Sequence, residues 1–149
     1  MARRNMPRLF ALCGMLVLSL HSACSQAPRE ASLFAQTGRF VAAYNARDVE
    51  AMIKIVTEDV RWLSVAGATI QTETSGRTEL DSAMTGYFSV GIRARSEMRI
   101  LRQHGNYVFR VEEVMPGAGG ESKNQCGVVV CEFEKALIKN AWYYPAYAC

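Results

Sequence analysis

The sequence predicts an α+β fold, with three helices in the N-terminal half and a curved antiparallel sheet. Over residues 39–67 the pattern passes from a helix through a sharp turn to a second helix, and then to a strand. Further along the chain, apolar and polar residues alternate in several segments. Two successive helices that lead through short turns into a strand are typical of α+β domains and not of parallel βαβ units.

The first two helices are indicated by apolar residues spaced three and four positions apart. The first apolar face comprises Leu33, Thr37, Phe40, Val41 and Tyr44, and the second comprises Val49, Met52, Ile53 and Val56. Asp48 stands between the two faces, where its side chain can cap the second helix. Glu50 follows in the first turn, where the helix dipole favours an anion.

Period-two alternation predicts the strands. The first strand contains Val60, Trp62 and Ser64, a short polar strand follows over residues 69–75, and a third helix carries Leu80, Met84, Tyr87 and Phe88. Four more strands are predicted over residues 96–101, 107–113, 125–134 and 138–144, with a hairpin turn after His104. The long turn that begins at Pro116 is rich in glycine.

Residues 1–24 are predicted to be a signal peptide. Arg3, Arg4 and Arg8 precede an apolar run over residues 9–20, which is too short to span the roughly 30 Å hydrocarbon core of a membrane. The small residues before Cys24 resemble a bacterial lipobox, although His21 stands where an aliphatic residue is usual. The alternatives are cleavage after Ser25 and an uncleaved anchor.

We therefore expect a bacterial protein that is exported, either to the periplasm or as a lipoprotein anchored through Cys24. Residues 25–30 would form a tether, and residues 31–149 the folded domain. From Ser25 onward the chain has fourteen basic and fourteen acidic residues. This balance argues against a nucleic-acid partner, because phosphate binding needs a surplus of Lys and Arg. Contact with a membrane is expected only through the lipid anchor.

Three cysteines lie in the predicted domain: Cys126, Cys131 and Cys149. Cys126 and Cys131 share one predicted strand, which would separate their Cα atoms by about 16 Å, whereas a disulfide needs about 7 Å or less. Cys149 can reach one of them, and Cys131 is expected to be a small buried apolar residue. His104 is the only histidine after the signal peptide, so no metal site and no cofactor are expected.

The chain contains the segments FVAAYNARDVEAM and TEDVRW and the later segments GRTEL and YF. In these segments it resembles the nuclear transport factor 2-like superfamily, which includes SnoaL-like and ketosteroid-isomerase-like domains. The resemblance covers roughly residues 31–145. It implies a cone-shaped fold, in which a curved sheet wraps around the helices and leaves an apolar cavity. Because this fold hosts many activities, the resemblance indicates fold more than function.

The resemblance implies a ligand pocket, whose expected lining is Phe40, Tyr44, Trp62, Ser64, Tyr87, Cys131, Trp142 and Tyr144. Such an aromatic lining suits a flat hydrophobic ligand. Alternatively, these rings simply fill the cone. The resemblance also places the three catalytic groups of ketosteroid isomerase on Phe40, Ser64 and Cys131, none of which carries the required function.

Glu113 is the remaining candidate for catalysis, since it lies on the same face of its predicted strand as Tyr107, Phe109 and Val111, and burial would raise its pKa. His104 and Glu73 are the other candidates for a catalytic role. The sequence thus favours binding of a small apolar molecule without isomerase chemistry. The alternatives are an enzyme of isomerase, cyclase or dehydratase type acting on a hydrophobic carbonyl or polyketide-like substrate, and a structural or partner-binding dimer. A homodimer is expected, because family members often pair through the outer sheet face.

Overall fold

Three helices and six strands form the domain in the computed structural model, which describes residues 27–91, 93–116 and 124–149. The helices are α1 (Ala27–Ala46), α2 (Val49–Ile53) and α3 (Arg77–Ser89). The strands are β1 (Val56–Ala66), β2 (Thr69–Ser75), β3 (Arg95–His104), β4 (Tyr107–Met115), β5 (Gln125–Glu134) and β6 (Leu137–Ala148). The predicted signal peptide and Cys24 lie outside the described residues.

The six strands form one curved sheet in the order β2-β1-β6-β5-β4-β3. All neighbouring pairs are antiparallel except β1 and β6, which run parallel. The α+β prediction is therefore confirmed, but the sheet is mixed and not wholly antiparallel. The parallel pair arises because β6, the last strand, lies beside β1, the first strand, and runs in the same direction.

The turn between the first two helices forms as the sequence predicts. Asp48 caps α2 by accepting a hydrogen bond from the Ala51 amide at 2.9 Å. α2 ends at Ile53 and Val56 already belongs to β1, so the prediction of a helix through Val56 is wrong. The amide of Ile138 donates to the Ile55 carbonyl at 2.9 Å, and this pairing draws the chain into the sheet.

α1 packs against the concave face of the sheet. Phe40 stacks on Trp62 of β1, and Asn45 bonds the backbone of Ser96 on β3. Residues 27–30, which the sequence assigned to a tether, are helical. No helix within the described ranges is long and apolar enough to cross a membrane.

The core lies between the concave face and the helices. It contains Leu33, Phe40, Met52, Ile55, Val56, Val60, Leu80, Val108, Val129, Cys131, Phe133, Ile138 and Ala141. The chain end is fixed by a disulfide between Cys126 and Cys149, whose Cα atoms are 5.2 Å apart. Cys131 is buried and unpaired, so the prediction that it does not bond Cys126 is confirmed.

Candidate functional site

Aromatic side chains cover part of the concave face, between the sheet and α1 and α3. Phe40 is buried and stacks on Trp62 at a centroid distance of 5.5 Å. Trp62 itself remains half-buried, as does Tyr143 on β6. Both face the helices, since Trp62 lies opposite Ala141 in the sheet and both rings pack on the core. These partly exposed inner rings mark the candidate site.

Two tyrosines close the helical side of the site. The hydroxyl groups of Tyr44 on α1 and Tyr87 on α3 are 3.1 Å apart and share a hydrogen bond. Phe88 packs against both rings, with centroid distances of 5.5 and 5.3 Å. Burial, and then the hydrogen bond with Tyr87, raises the pKa of Tyr44, so its phenol stays protonated at neutral pH.

A buried ion pair on β4 also faces the site. Arg110 and Glu112 are two residues apart and therefore point to the same side of the strand. The Arg110 Nε and Nη2 atoms lie 3.0 and 2.9 Å from Glu112 Oε2, and the exposed fractions of the two side chains are only 2% and 12%. Glu112 is thus a carboxylate on the inner face that is already paired.

Further hydrogen bonds hold this pair in place. Ser96 donates its hydroxyl to Glu112 Oε1. The Asn45 side chain in turn accepts from the Ser96 amide and donates to its carbonyl, each at 2.8 Å. Since Asn45 lies at the end of α1, this chain of bonds ties the helix to the position of Glu112.

The thiol of Cys131 belongs to the same cluster. Arg110 Nη1 donates to its sulfur at 3.3 Å. Burial raises the pKa of Cys131 in spite of the opposing Arg110 charge, which keeps the thiol neutral at physiological pH. Burial alone would lower the pKa of Arg110, but Cys131 and Glu112 raise it.

Tyr143 completes the inner surface. Burial, and then the nearby Glu112 carboxylate, raises the pKa of Tyr143. Its ring covers Gly127 on β5, where a Cβ atom would lie 2.5 Å from Tyr143 Cε2. Glycine at this position therefore allows the ring to lie against the sheet.

The structure places Trp142 and Tyr144 on the convex face, away from the concave site. Asn140, on the same side of β6, bonds Glu132 and Arg61 on the outer surface, and alternation along the strand puts Trp142 and Tyr144 with it. Of the three consecutive aromatic residues, only Tyr143 faces the helices.

Glu113 also lies on the convex face. Arg99 Nε donates to Glu113 Oε2 at 2.6 Å, and Asn124 Nδ2 donates to Oε1 at 2.7 Å. The hydrogen bond from Arg99, followed by the one from Asn124, lowers the pKa of Glu113. The expectation of a raised pKa at Glu113 is therefore wrong, because the side chain is buried beside a cation and not in an apolar cavity.

Ser64, matched with the base of ketosteroid isomerase, lies near the edge of the site. It follows Trp62 on the inner face of β1 and donates its hydroxyl to Glu73 at 2.5 Å. Glu73 is exposed on β2. His104 lies at the end of β3, beside the β3–β4 turn. No group of three metal-binding side chains comes together within the described part of the chain.

The sequence pointed to Phe40, Tyr44, Trp62, Tyr87 and Cys131, and the structure brings these side chains to the concave side. It did not point to Arg110 and Glu112. Their spacing offers a signal in retrospect, since opposite charges at positions i and i+2 of a strand share one face. However, the strand carries two adjacent glutamates. Because Glu113 shares a face with the apolar residues Phe109 and Val111, the sequence pointed to Glu113 instead of Glu112.

A curved mixed sheet wrapped around N-terminal helices is the architecture of a nuclear transport factor 2-like domain. The model of the SnoaL-like domain matches residues 37–141. The chain belongs to this family. No curated protein matches the sequence significantly.

Several solved structures are similar. An uncharacterised cystatin-fold protein from Novosphingobium aromaticivorans is 22% identical with a TM-score of 0.65, and the match covers 75% of this chain and 96% of that protein. An NTF-2 like protein of unknown function from Burkholderia xenovorans is 16% identical, with a TM-score of 0.66 and coverage of 81% and 88%. An LEH-like epoxide hydrolase from M. tuberculosis is 10% identical, with a TM-score of 0.65 and coverage of 78% and 84%. Identities this low establish a shared fold alone.

Proposed function

We propose that this chain is an exported domain that binds a small, flat, predominantly apolar molecule on the concave face of its sheet, without ketosteroid-isomerase chemistry. The observation that carries the proposal is the partial exposure of Trp62, Tyr44 and Tyr143 on a face that otherwise forms the core, with Tyr87, also partly exposed, bonded to Tyr44. Aromatic rings that stay accessible inside a concave surface are typical of ligand sites.

The chemistry of the site favours binding over catalysis. Phe40 has no hydroxyl and its ring is stacked, Ser64 donates to Glu73, and the Cys131 thiol is buried and bonded by Arg110. None of these positions offers a free base or an acidic hydrogen-bond donor of the kind that isomerisation of a ketosteroid needs. A ligand would therefore be held and released unchanged.

Native mass spectrometry of the purified protein tests this proposal. We expect a co-purified apolar mass that is lost when Trp62 is changed to Ala, because this ring forms the floor of the site on Phe40. Trp142→Ala is the matched control, since Trp142 lies on the convex face, and it should retain the mass. Circular dichroism establishes that both variants are folded. The proposal is contradicted if the wild type carries no co-purified ligand and also fails to bind added naphthalene derivatives.

An enzyme acting on a hydrophobic carbonyl compound is the alternative, and Glu112 is the observation that supports it. Its carboxylate lies on the inner face of β4, and it adds to the effect of burial in raising the pKa of Tyr44 and Tyr143. However, both of its oxygens are engaged, one by Ser96 and the other by Arg110. If the recovered ligand is converted by the wild type and not by Glu112→Gln, the enzymatic alternative is correct.

A homodimer through the convex face is proposed as the assembly. Two rows of apolar residues cross the outer side of β4, β5 and β6, and together they form the convex apolar stripe. It consists of Phe109, Val130 and Trp142 in one row, and Val111, Val128 and Tyr144 in the other. Phe109, Val128 and Tyr144 are 41%, 39% and 40% exposed. Contiguous exposed apolar surface of this kind marks an interaction site, and a symmetric partner would cover it with the same stripe.

Sedimentation equilibrium of the purified protein tests the dimer. We expect Val128→Lys to produce monomers, because it places a charge at the centre of the convex apolar stripe. Ile70→Lys is the control, since Ile70 is even more exposed but lies on β2, away from the stripe. A dimer that persists in Val128→Lys, or a wild type that is monomeric throughout the concentration range, would rule out this interface.

The proposed location is the bacterial periplasm or the membrane surface, with Cys24 as the lipid attachment site. Intact-mass measurement of the mature protein separates the two. A lipid-modified N-terminal Cys24 supports the lipoprotein, and an unmodified chain beginning at Gln26 supports ordinary cleavage after Ser25. An uncleaved chain beginning at Met1 would indicate the anchor.

A further inference from the structure

The hydroxyl groups of Tyr44 and Tyr87 form a pair that links α1 to α3. They come from two different helices, their oxygens are 3.1 Å apart, and the pair is only partly buried. Their rings are fixed by Phe88, which packs on Tyr44 at 5.5 Å and on Tyr87 at 5.3 Å. The packing of the rings therefore sets the position of the hydroxyl groups, and Tyr44 also packs against the core beneath the concave face.

The two hydroxyl groups together have one more donor than their mutual hydrogen bond uses. Each phenol has one proton to donate and two lone pairs to accept with. One proton lies in the bond between the two oxygens, whichever tyrosine donates it. The second proton sits on the accepting hydroxyl, and neither oxygen has another hydrogen-bond partner among the described residues. The pair thus presents one unused donor. This hydroxyl donates more strongly because it already accepts a hydrogen bond from the other tyrosine.

The charges around the pair restrict what can bind. Glu112 is tied to the end of α1 through Ser96 and Asn45, and its negative charge is paired with Arg110. The positive charge of Arg110 is likewise paired with Glu112, so this cluster offers no unpaired cation to an anionic ligand group. The best partner for the unused proton is therefore an uncharged acceptor atom.

On the basis of the proposed ligand-binding function, we infer that Tyr44 and Tyr87 act together as one hydrogen-bond donor for an uncharged carbonyl oxygen on an otherwise apolar ligand. The hydroxyl groups are interchangeable in this role. When one is removed, the proton of the other becomes free to reach the ligand. Only the loss of both removes the donor.

Three naphthalene probes of similar shape test the inference by equilibrium dialysis at neutral pH. They are 2-acetylnaphthalene, its hydrocarbon analogue 2-isopropenylnaphthalene, and 2-naphthoate. We expect the ketone to bind about fivefold more tightly than the hydrocarbon, the usual net effect of one hydrogen bond. The carboxylate should bind most weakly, because no unpaired cation of this cluster offsets the cost of removing its charge from water.

The variants separate this inference from the proposed function. Tyr44→Phe and Tyr87→Phe should each keep most of the preference for the ketone, and the double variant should bind the ketone no more tightly than the hydrocarbon. Tyr144→Phe, on the convex face, is the matched control. Infrared spectra should show the carbonyl stretch of the bound ketone at lower frequency in the wild type than in the double variant.

Each outcome has a distinct meaning. If the hydrocarbon binds but the ketone shows no advantage, or if the double variant keeps that advantage, the inference is wrong and the apolar site remains. If none of the three probes binds to the wild type, the proposed binding function fails and the inference fails with it. Circular dichroism and urea unfolding of the double variant exclude a loss of fold as the cause.

Discussion

The buried pair of Arg110 and Glu112 allows a sharp test of the candidate site. Arg110 is nearly inaccessible, and its guanidinium contacts Glu112 Oε2 at 3.0 and 2.9 Å and the Cys131 sulfur at 3.3 Å. Arg110→Met removes the cation but keeps most of the side-chain volume. Glu112 then remains on the inner face with Ser96 as its only donor from this cluster.

The expected magnitude follows from that geometry. Removing one partner of a buried ion pair leaves an uncompensated charge and costs about 3–5 kcal/mol. Arg110→Met and Glu112→Leu should therefore each lower the free energy of unfolding by this amount. The double variant removes both charges, and we expect it to lie within about 1 kcal/mol of the wild type, since apolar replacements of buried ion pairs are often neutral or stabilising.

Urea unfolding followed by circular dichroism, with all four proteins in one double-mutant cycle, measures these values. Glu134→Leu is a suitable control, because its partner Lys139 and the carboxylate itself lie on the surface, where ion pairs contribute about 1 kcal/mol or less. The reasoning is refuted if Arg110→Met costs less than about 1 kcal/mol, the value of a surface pair, or if the double variant shows the sum of the two single losses.

Three further predictions concern single positions. Gly127→Ala should destabilise the fold by about 1–3 kcal/mol, because its Cβ would meet the Tyr143 ring at 2.5 Å, and urea unfolding measures the loss. The Cys131 thiol, whose pKa burial raises, should resist iodoacetamide at pH 7.5 in the native protein and react after unfolding, as peptide mass mapping would show. Arg99 lowers the pKa of Glu113 below its ordinary value of 4.5, so the unfolded state binds more protons there and stability should fall as the pH drops below about 4.5. Glu113→Gln should show a smaller fall in melting temperature over that range, and an unchanged fall would contradict this role.

The order of helices and strands was accessible from the sequence because local patterns determine most of it. The Asp48 cap, the turn at Gly105 and the alternation along β5 all act over a few residues. The start of β1 at Val56 was not accessible, since it depends on the pairing of this segment with β6, more than eighty residues away. The parallel pairing of β1 with β6 could not be predicted either, because it also depends on contacts between distant parts of the sequence.

The candidate site was accessible only in part. The apolar faces of α1 and α3 correctly placed Phe40, Tyr44 and Tyr87 on the inner side, because a helix has only one such face. β4 has apolar residues on both faces, and its inner face also carries Arg110 and Glu112. Alternation identifies the two faces of a strand but not which one is inside, so the sequence assigned Glu113 to the interior and overlooked Glu112.

The reason for this error also bears on the proposed homodimer. On β4 the outward residues Phe109 and Val111 are more apolar than the inward Arg110 and Glu112, which reverses the usual order for a sheet with one solvated face. The inner charges are explained, because they pair with each other. The outer apolar residues have no such explanation within one subunit, where Phe109 is 41% exposed. A second copy that covers the convex apolar stripe would bury both faces of β4. Apolar residues on both faces, which led to the wrong placement of Glu113, are the pattern expected of such a strand.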